Sequence, residues 1–68
     1  MAENYGFVLK SLQTIADRYF DGHFTVMKFT TNWRVGFGTQ NNLEMIMDMR
    51  DGKTLMDAYK AAIIGLIE

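Results

Sequence analysis

The stretch from His23 to Gly38 most constrains the fold of this chain, because it holds the only Trp, the only His and three of the five Phe residues. Two runs within it, Phe24 to Phe29 and Trp33 to Phe37, are rich in the β-branched and aromatic residues typical of strands. The three residues between them, Thr30-Thr31-Asn32, have the length of a hairpin loop, and Asn tolerates a positive φ. The stretch therefore predicts a β-hairpin.

The second strand of this hairpin has a clear core face. Trp33, Val35 and Phe37 alternate with a charged residue and a glycine, so the three bulky side chains point to the same side of the strand. We predict that this side packs against the rest of the chain.

The first strand carries apolar residues on both faces. Phe24 and Val26 share one face, while Thr25, Met27 and Phe29 share the other. Either the strand contains a bulge, or both of its faces meet apolar surface.

An amphipathic segment lies on each side of the hairpin. From about Asn4 to Phe20, apolar residues recur every three or four positions, which predicts a helix that ends at Asp21-Gly22. A second helix is predicted to begin at Thr54, with Asp57 three residues later as in a capping box. Each helix has one apolar stripe, so the simplest arrangement packs both on the same face of the sheet.

Residues 43–50 predict a third strand, because four apolar residues alternate with a second set that is mainly charged. The alternation is Leu43, Met45, Met47 and Met49 against Glu44, Ile46, Asp48 and Arg50. A period of two over eight residues favours a strand, although Leu and Met would also permit a helix. Asp51-Gly52 then supplies a turn.

The predicted fold is therefore α+β with the order α-β-β-β-α, in one domain spanning residues 1–68. The strands form a three-stranded antiparallel meander, with both helices packed on one face. A chain of 68 residues has a thin core, and domains of this size usually add disulfides, a metal or a partner chain. Since the chain has no Cys and a single His, good local packing or self-association remains.

No catalytic residue, cofactor site or metal site is expected. His23 is the only imidazole, and no Ser or Cys lies in a nucleophile motif. Asp48, Asp51 and Asp57 do not have the spacing of a calcium loop. Gly36-Phe37-Gly38 lacks the third Gly and the Lys-Ser/Thr ending of a phosphate-binding loop. We also expect that so small a domain rarely has room for a ligand pocket of about 300 Å³. These features predict a protein that is not an enzyme.

The expected functional surface is the face of the sheet that the helices leave uncovered. Large apolar side chains with a polar rim on that face are typical of a protein interface. The predicted interface consists of six residues: Thr25, Met27, Phe29, Arg34, Ile46 and Arg50. We expect the partner to be a second copy of the chain, giving a homodimer, or another protein.

Charge and hydropathy make nucleic acid and membranes less favoured as partners. The net charge of −1 argues against a dedicated nucleic-acid binder and against a polybasic membrane anchor. No apolar run approaches the roughly 20 residues that span a bilayer, and the N-terminus lacks the features of a signal peptide. A cytoplasmic protein without a membrane partner is predicted.

The order of elements resembles that of the double-stranded RNA-binding domain. Gly22-His23-Phe24-Thr25-Val26 is similar to the segment that precedes and opens the second functional element of that family. Ala61-Ala62 is similar to part of its Ala-rich final helix, so the resemblance covers about a quarter of the chain in short pieces. That family grips phosphates with a Lys cluster at the start of the final helix, where this chain has only Lys53.

Nucleic-acid binding is accordingly the alternative function, which the sequence permits but does not favour. Lys28, Arg34 and Arg50 would supply positive charge, and Trp33 or Phe29 would stack on bases.

Overall fold

The computed structural model describes residues 5–67, which form three helices and three strands. Their order along the chain is α1 (Tyr5–Tyr19), β1 (Phe24–Lys28), β2 (Trp33–Phe37), α2 (Leu43–Met47), β3 (Arg50–Gly52) and α3 (Leu55–Ile67).

The strands form one antiparallel sheet in the order β1-β2-β3. Val26 pairs with Val35 in the hairpin, and Val35 pairs with Arg50 of β3 on its other side. The Phe29 amide donates to the Asn32 carbonyl at 2.7 Å and closes the predicted hairpin loop. The α+β fold with a three-stranded antiparallel meander is thus confirmed.

The core lies between this sheet and the helices α1 and α3. Leu12 of α1 and Val35 of β2 are fully buried, and Leu55 of α3 packs in the same cluster. Trp33 and Phe37 pack against the cluster on the same side as Val35, as predicted. Burying a Leu or Val side chain completely contributes about 1.5–3 kcal/mol, so these few residues hold the layers together.

The first strand contains no bulge, because its register with β2 is continuous from Phe24 to Lys28. Phe24 and Val26 therefore face the helices and pack against the core. Thr25 and Met27 alternate with them and face the other side of the sheet.

The prediction of a strand over residues 43–50 is wrong. Residues Leu43–Met47 form the helix α2, and β3 begins only at Arg50. The side chain of Asn42 caps α2, since its Oδ1 accepts a hydrogen bond from the Met45 amide at 2.9 Å. Leu, Met and Glu have high helix propensity, so the cap and the local propensities outweigh the alternating pattern.

The predicted end of the first helix and the predicted cap of the last helix are both present in the structure. Gly22 has a φ of 79° and donates its amide to the Ala16 carbonyl at 2.9 Å, which closes the end of α1. The Oγ1 of Thr54 accepts a hydrogen bond from the Asp57 amide at 3.1 Å at the start of α3. The predicted start of the first helix at Asn4 lies outside the described residues.

Candidate interaction surfaces

The structure brings together four of the six residues that were predicted to form an interface. Thr25, Met27 and Arg34 share the face of the sheet opposite the helices, because Met27 pairs with Arg34 in the register. The Arg34 Cζ lies 5.9 Å from the centre of the Phe29 ring, so Phe29 belongs to the same surface. At this distance a cation–π contact contributes about 0.5–1 kcal/mol.

Arg34 also ties the helix α2 to this face of the sheet. Its Nη1 donates to the carbonyl oxygens of Met47 and Met49, each at 3.3 Å. A guanidinium that donates to two carbonyls while lying against Phe29 is held in one orientation. The chain from α2 to β3 therefore covers part of the face that was expected to be open.

Arg50 does not belong to this surface, contrary to the prediction. It lies opposite Val35, and directly opposed residues point to the same side of a sheet, so Arg50 is on the side of the helices. A Cβ built on Gly65 of α3 would lie 2.9 Å from the Arg50 Nε, which shows how closely Arg50 packs on that helix. The prediction assumed a strand through residues 43–50, which placed Arg50 on the side of the sheet opposite the helices. In the actual β3 the pairing of Arg50 with Val35 places it on the same side as the helices.

Ile46 was also placed wrongly by the sequence pattern. It lies half-buried in α2, whereas Leu43 and Met47 of the same helix are 73% and 59% exposed. Leu43 and Met47 are four residues apart and so share one side of α2. Asn42 as a helix cap, followed by apolar residues four positions apart, was the sequence signal that could have identified Leu43 and Met47 as exposed residues of a helix.

These residues define a surface that we call the open-face patch. It consists of Met27, Phe29, Arg34 and Met47, whose carbonyl accepts from the Arg34 guanidinium. It is mainly apolar, with one guanidinium fixed at its centre.

Strand β1 is an outer strand of the sheet, and half of its backbone groups point away from β2. The Gly38 amide donates to the His23 carbonyl at 2.8 Å, and the Phe29 amide donates to Asn32. In an antiparallel pair, positions that exchange hydrogen bonds alternate with positions that do not. The N–H and C=O groups directed to the outer edge are therefore those of Phe24, Val26 and Lys28.

The side chain of Lys28 is directed back over the hairpin. Its Nζ donates to the Phe29 carbonyl at 2.7 Å and lies 5.5 Å from the centre of the Trp33 ring. Exposed lysines commonly protect strand edges from pairing with other chains. Here the Lys28 ammonium group is held by the Phe29 carbonyl and by the Trp33 indole. It therefore protects the outer edge of β1 less than a lysine that extends into solvent.

A second apolar surface lies between α1 and α3, and the sequence pattern did not predict it. The three-to-four-residue periodicity places Tyr19 and Ile67 on the apolar stripes of α1 and α3, but Tyr19 is 69% and Ile67 is 81% exposed. The helix α1 is about 22 Å long, whereas a five-residue strand extends about 17 Å. The sheet is therefore too short to cover the apolar stripe of the helix along its whole length.

This second surface consists of two neighbouring open grooves that share Ile15, and we call them together the helical groove. One part, of about 410 Å³, lies between Phe7 of α1 and Tyr59 of α3, whose rings meet edge to face at 6.2 Å. The other part, of about 440 Å³, is lined by residues of the two helix ends, and Ile15 lines both parts. The residues that form the groove are Phe7, Ile15, Tyr19, Tyr59, Ile63, Leu66 and Ile67.

A third groove, of about 370 Å³, lies between β2, α2 and the last turns of α3. Phe20 and Phe37 stack at its edge with ring centres 4.9 Å apart, and Asp48 and Arg50 are its charged lining residues. All three grooves are open to solvent, so the expectation that the domain rarely has room for a ligand pocket of about 300 Å³ stays a prediction.

Residues 5–67 contain neither a metal-binding cluster nor a membrane-spanning helix. No three or more His, Cys, Asp or Glu side chains in this range lie close enough together to hold a metal ion. In the same range, no helix has the length and apolar character needed to cross a membrane.

The residues proposed for nucleic-acid binding lie on different sides of the sheet. Lys28 contacts Trp33 on the side of the helices, Arg34 lies on the opposite face, and Arg50 packs against α3. Binding to a phosphate backbone depends on several cations that share one surface. Nucleic-acid binding stays a prediction that this geometry does not favour.

No protein-family model matches the chain, and searches of curated proteins and of solved structures find no significant match. The functional argument therefore depends on the surfaces described above.

Proposed function

We propose that this protein is a small, non-enzymatic protein-interaction module that forms a homodimer through the outer edge of β1. The observation that carries this proposal is the outer edge itself, where the backbone groups of Phe24, Val26 and Lys28 face away from the sheet. An edge strand with free backbone groups and apolar neighbours is a ready template for pairing with another chain.

A two-fold antiparallel pairing centred on Val26 uses all of these groups. Val26 then lies opposite Val26 of the second copy, and Phe24 lies opposite its Lys28. Each such pair exchanges two backbone hydrogen bonds, and the two sheets join into one. No like charges oppose each other in this register, which favours it over pairings that would place Lys28 against itself.

The same pairing joins the open-face patches of the two copies. Thr25 of one strand lies opposite Met27 of the other on the face away from the helices, with Phe29 following at each end. An apolar contact of this kind adds side-chain burial to the backbone hydrogen bonds. The added burial supports the proposal because a core of this size provides little stability alone.

The helix α1 offers a further apolar side chain at this edge. Leu9 is half-exposed and lies about 200° around the helix from Phe7 and Ser11, which line the helical groove. Leu9 is therefore on the flank of α1 that is turned away from α3, toward the side on which a second copy would pack.

The proposal includes a cytoplasmic location, which the absence of Cys from the sequence supports. Domains of this size in oxidising compartments often contain disulfides.

The test is sedimentation of the Lys28→Pro variant against wild type, with Lys28→Ala as the matched control. Proline is tolerated on an edge strand where its missing N–H would face solvent, so the monomer should fold. It removes a donor from the outer edge and obstructs pairing, whereas Lys28→Ala shortens the side chain and retains the N–H. We expect wild type and Lys28→Ala to be dimers and Lys28→Pro to be a monomer.

Circular dichroism of each variant shows whether the monomer is folded. The proposal is wrong if wild type sediments as a monomer at about 100 μM, an affinity limit of about −5.5 kcal/mol. It is equally wrong if a folded Lys28→Pro variant retains the wild-type dimer.

A further inference from the structure

We propose that the helical groove binds an amphipathic helix of another protein whose apolar face is flanked by acidic residues. This inference goes beyond homodimer formation and is independent of it, because the groove and the outer edge of β1 lie on opposite flanks of α1.

The groove has the length and character of a helix-binding site. Phe7 and Tyr19 are twelve residues apart on α1, which corresponds to about 18 Å or three turns of a bound helix. Ile15 lines both parts of the groove and Ile63 lines the second part, and the two parts have volumes of about 410 and 440 Å³. Amphipathic helices bind such grooves through anchors at positions i, i+3 or i+4, and i+7.

The charged residue that lines this groove is basic, and two further cations lie close to its lining residues. Lys10 lines the first part of the groove. The Cζ of Arg18 lies 5.8 Å from the centre of the Tyr19 ring, which lines the second part. Lys60 is exposed on α3, three residues before Ile63 and seven before Ile67, and therefore on the same side of that helix.

The acidic residues of the two helices do not line the groove, although Asp17 lies seven residues after Lys10 and so on the same side of α1. Asp17 accepts a hydrogen bond from Gln13, and a Cβ built on Gly22 would lie 3.3 Å from its Oδ1, so it lies beside the loop that follows α1. Asp57 packs against Gly52 of β3. No acidic side chain among residues 5–67 lines the groove, although the chain as a whole has a net charge of −1.

This charge distribution identifies the kind of occupant. Acidic residues on both sides of a helical apolar face would lie near Lys10, Arg18 and Lys60, and opposite charges steer association and set specificity. A second copy of the chain fits less well, because a two-fold contact through this groove would bring the two basic rims together.

The test uses two fluorescent synthetic peptides of about 14 residues, or about 21 Å as helices. They share leucines at the anchor positions, and one has Glu where the other has Lys on both flanks. Their anisotropy is measured against the full 68-residue chain at low salt and at about 150 mM salt. We expect saturable binding of the Glu peptide that is about tenfold tighter than that of the Lys peptide and weakens with salt.

Charge-reversal variants locate the binding site. Lys10 and Lys53 are both exposed, but only Lys10 lines the groove, so Lys10→Glu and Lys53→Glu make the same change in net charge at two places. We expect Lys10→Glu to weaken binding of the Glu peptide about fivefold or more, and Lys53→Glu to change it less than about twofold. The Lys28→Pro variant should bind as wild type does, whatever its oligomeric state.

Several results would overturn the proposal. They are the absence of saturable Glu-peptide binding at about 100 μM, equal affinity for the two peptides, and equal losses in Lys10→Glu and Lys53→Glu. Co-sedimentation with phosphatidylserine vesicles without binding to the Glu peptide would assign the groove to a lipid surface instead. Persistence of the homodimer in any of these cases would leave the proposed function intact.

Discussion

Gly52 of β3 and the backbone nitrogen of Ala58 of α3 are so close that a Cβ on Gly52 would overlap that nitrogen. The same Cβ would lie 2.6 Å from the Cβ of Asp57. The first turn of α3 therefore rests directly on the backbone of β3, and this contact determines how closely the helix approaches the sheet.

The first prediction concerns this contact. Gly52→Ala should lower the free energy of unfolding by about 2–4 kcal/mol, because the obstructing atoms are backbone and cannot rotate away. Urea denaturation followed by circular dichroism measures the change. Gly6→Ala is the matched control, since the same substitution on the exposed first turn of α1 should stabilise the protein by about 0.5–1 kcal/mol. Equal effects of the two substitutions would contradict the close approach.

The second prediction concerns the guanidinium of Arg34. Arg34→Lys should lower the free energy of unfolding by about 1–2 kcal/mol, because an ammonium group cannot reproduce the planar fork that contacts Met47 and Met49. Arg18→Lys on the exposed surface of α1 should change it by less than about 0.5 kcal/mol. Chemical denaturation of both variants provides the comparison, and a loss confined to Arg18→Lys would refute the role of Arg34.

The third prediction concerns the cap of α2. Asn42→Ala removes the acceptor for the Met45 amide and should cost about 1 kcal/mol. Hydrogen exchange should accelerate at the amides of α2 more than at those of the hairpin. Thr39→Ala, three residues earlier and exposed, should leave exchange in α2 nearly unchanged.

The fourth prediction concerns the open-face patch in the proposed dimer. Phe29 is 41% exposed, so Phe29→Ala should raise the dimer dissociation constant about tenfold with little loss of monomer stability. Phe7→Ala is the matched control, because Phe7 is an exposed ring of the helical groove and should not affect dimerisation. Sedimentation over a range of concentrations measures both constants. If Phe7→Ala weakens the dimer more than Phe29→Ala does, the dimer uses the other surface.

Sequence patterns predicted those parts of the fold in which one strong signal acts alone. The alternation of Trp33, Val35 and Phe37 identified the core face of β2, and Asp21-Gly22 identified the end of α1. Residues 43–50 carried two signals at once, an alternating pattern and an Asn cap with good helix formers. The stronger local interaction was the cap.

The candidate surfaces depend on relationships that a sequence pattern does not contain. The side on which Arg50 lies follows from its pairing with Val35, and pairing register is a tertiary property. The exposure of Tyr19 and Ile67 follows from the length of α1 and α3 relative to three short strands. Neither relationship is visible until the elements are assembled.

The position of α2 has a consequence for the order in which the sheet assembles. Four residues, 29–32, separate β1 from β2, whereas twelve, 38–49, separate β2 from β3. Each doubling of a loop costs about 0.6 kcal/mol of closure entropy, so the second connection costs about 1 kcal/mol more than the first. The hairpin therefore forms at the lower entropic cost, and β3 joins it together with α3, against which it packs. In a newly synthesised chain, the outer edge of β1 is thus exposed before α3 covers the apolar face of the hairpin. If the proposed dimer forms, pairing between nascent chains would compete with completion of the monomer.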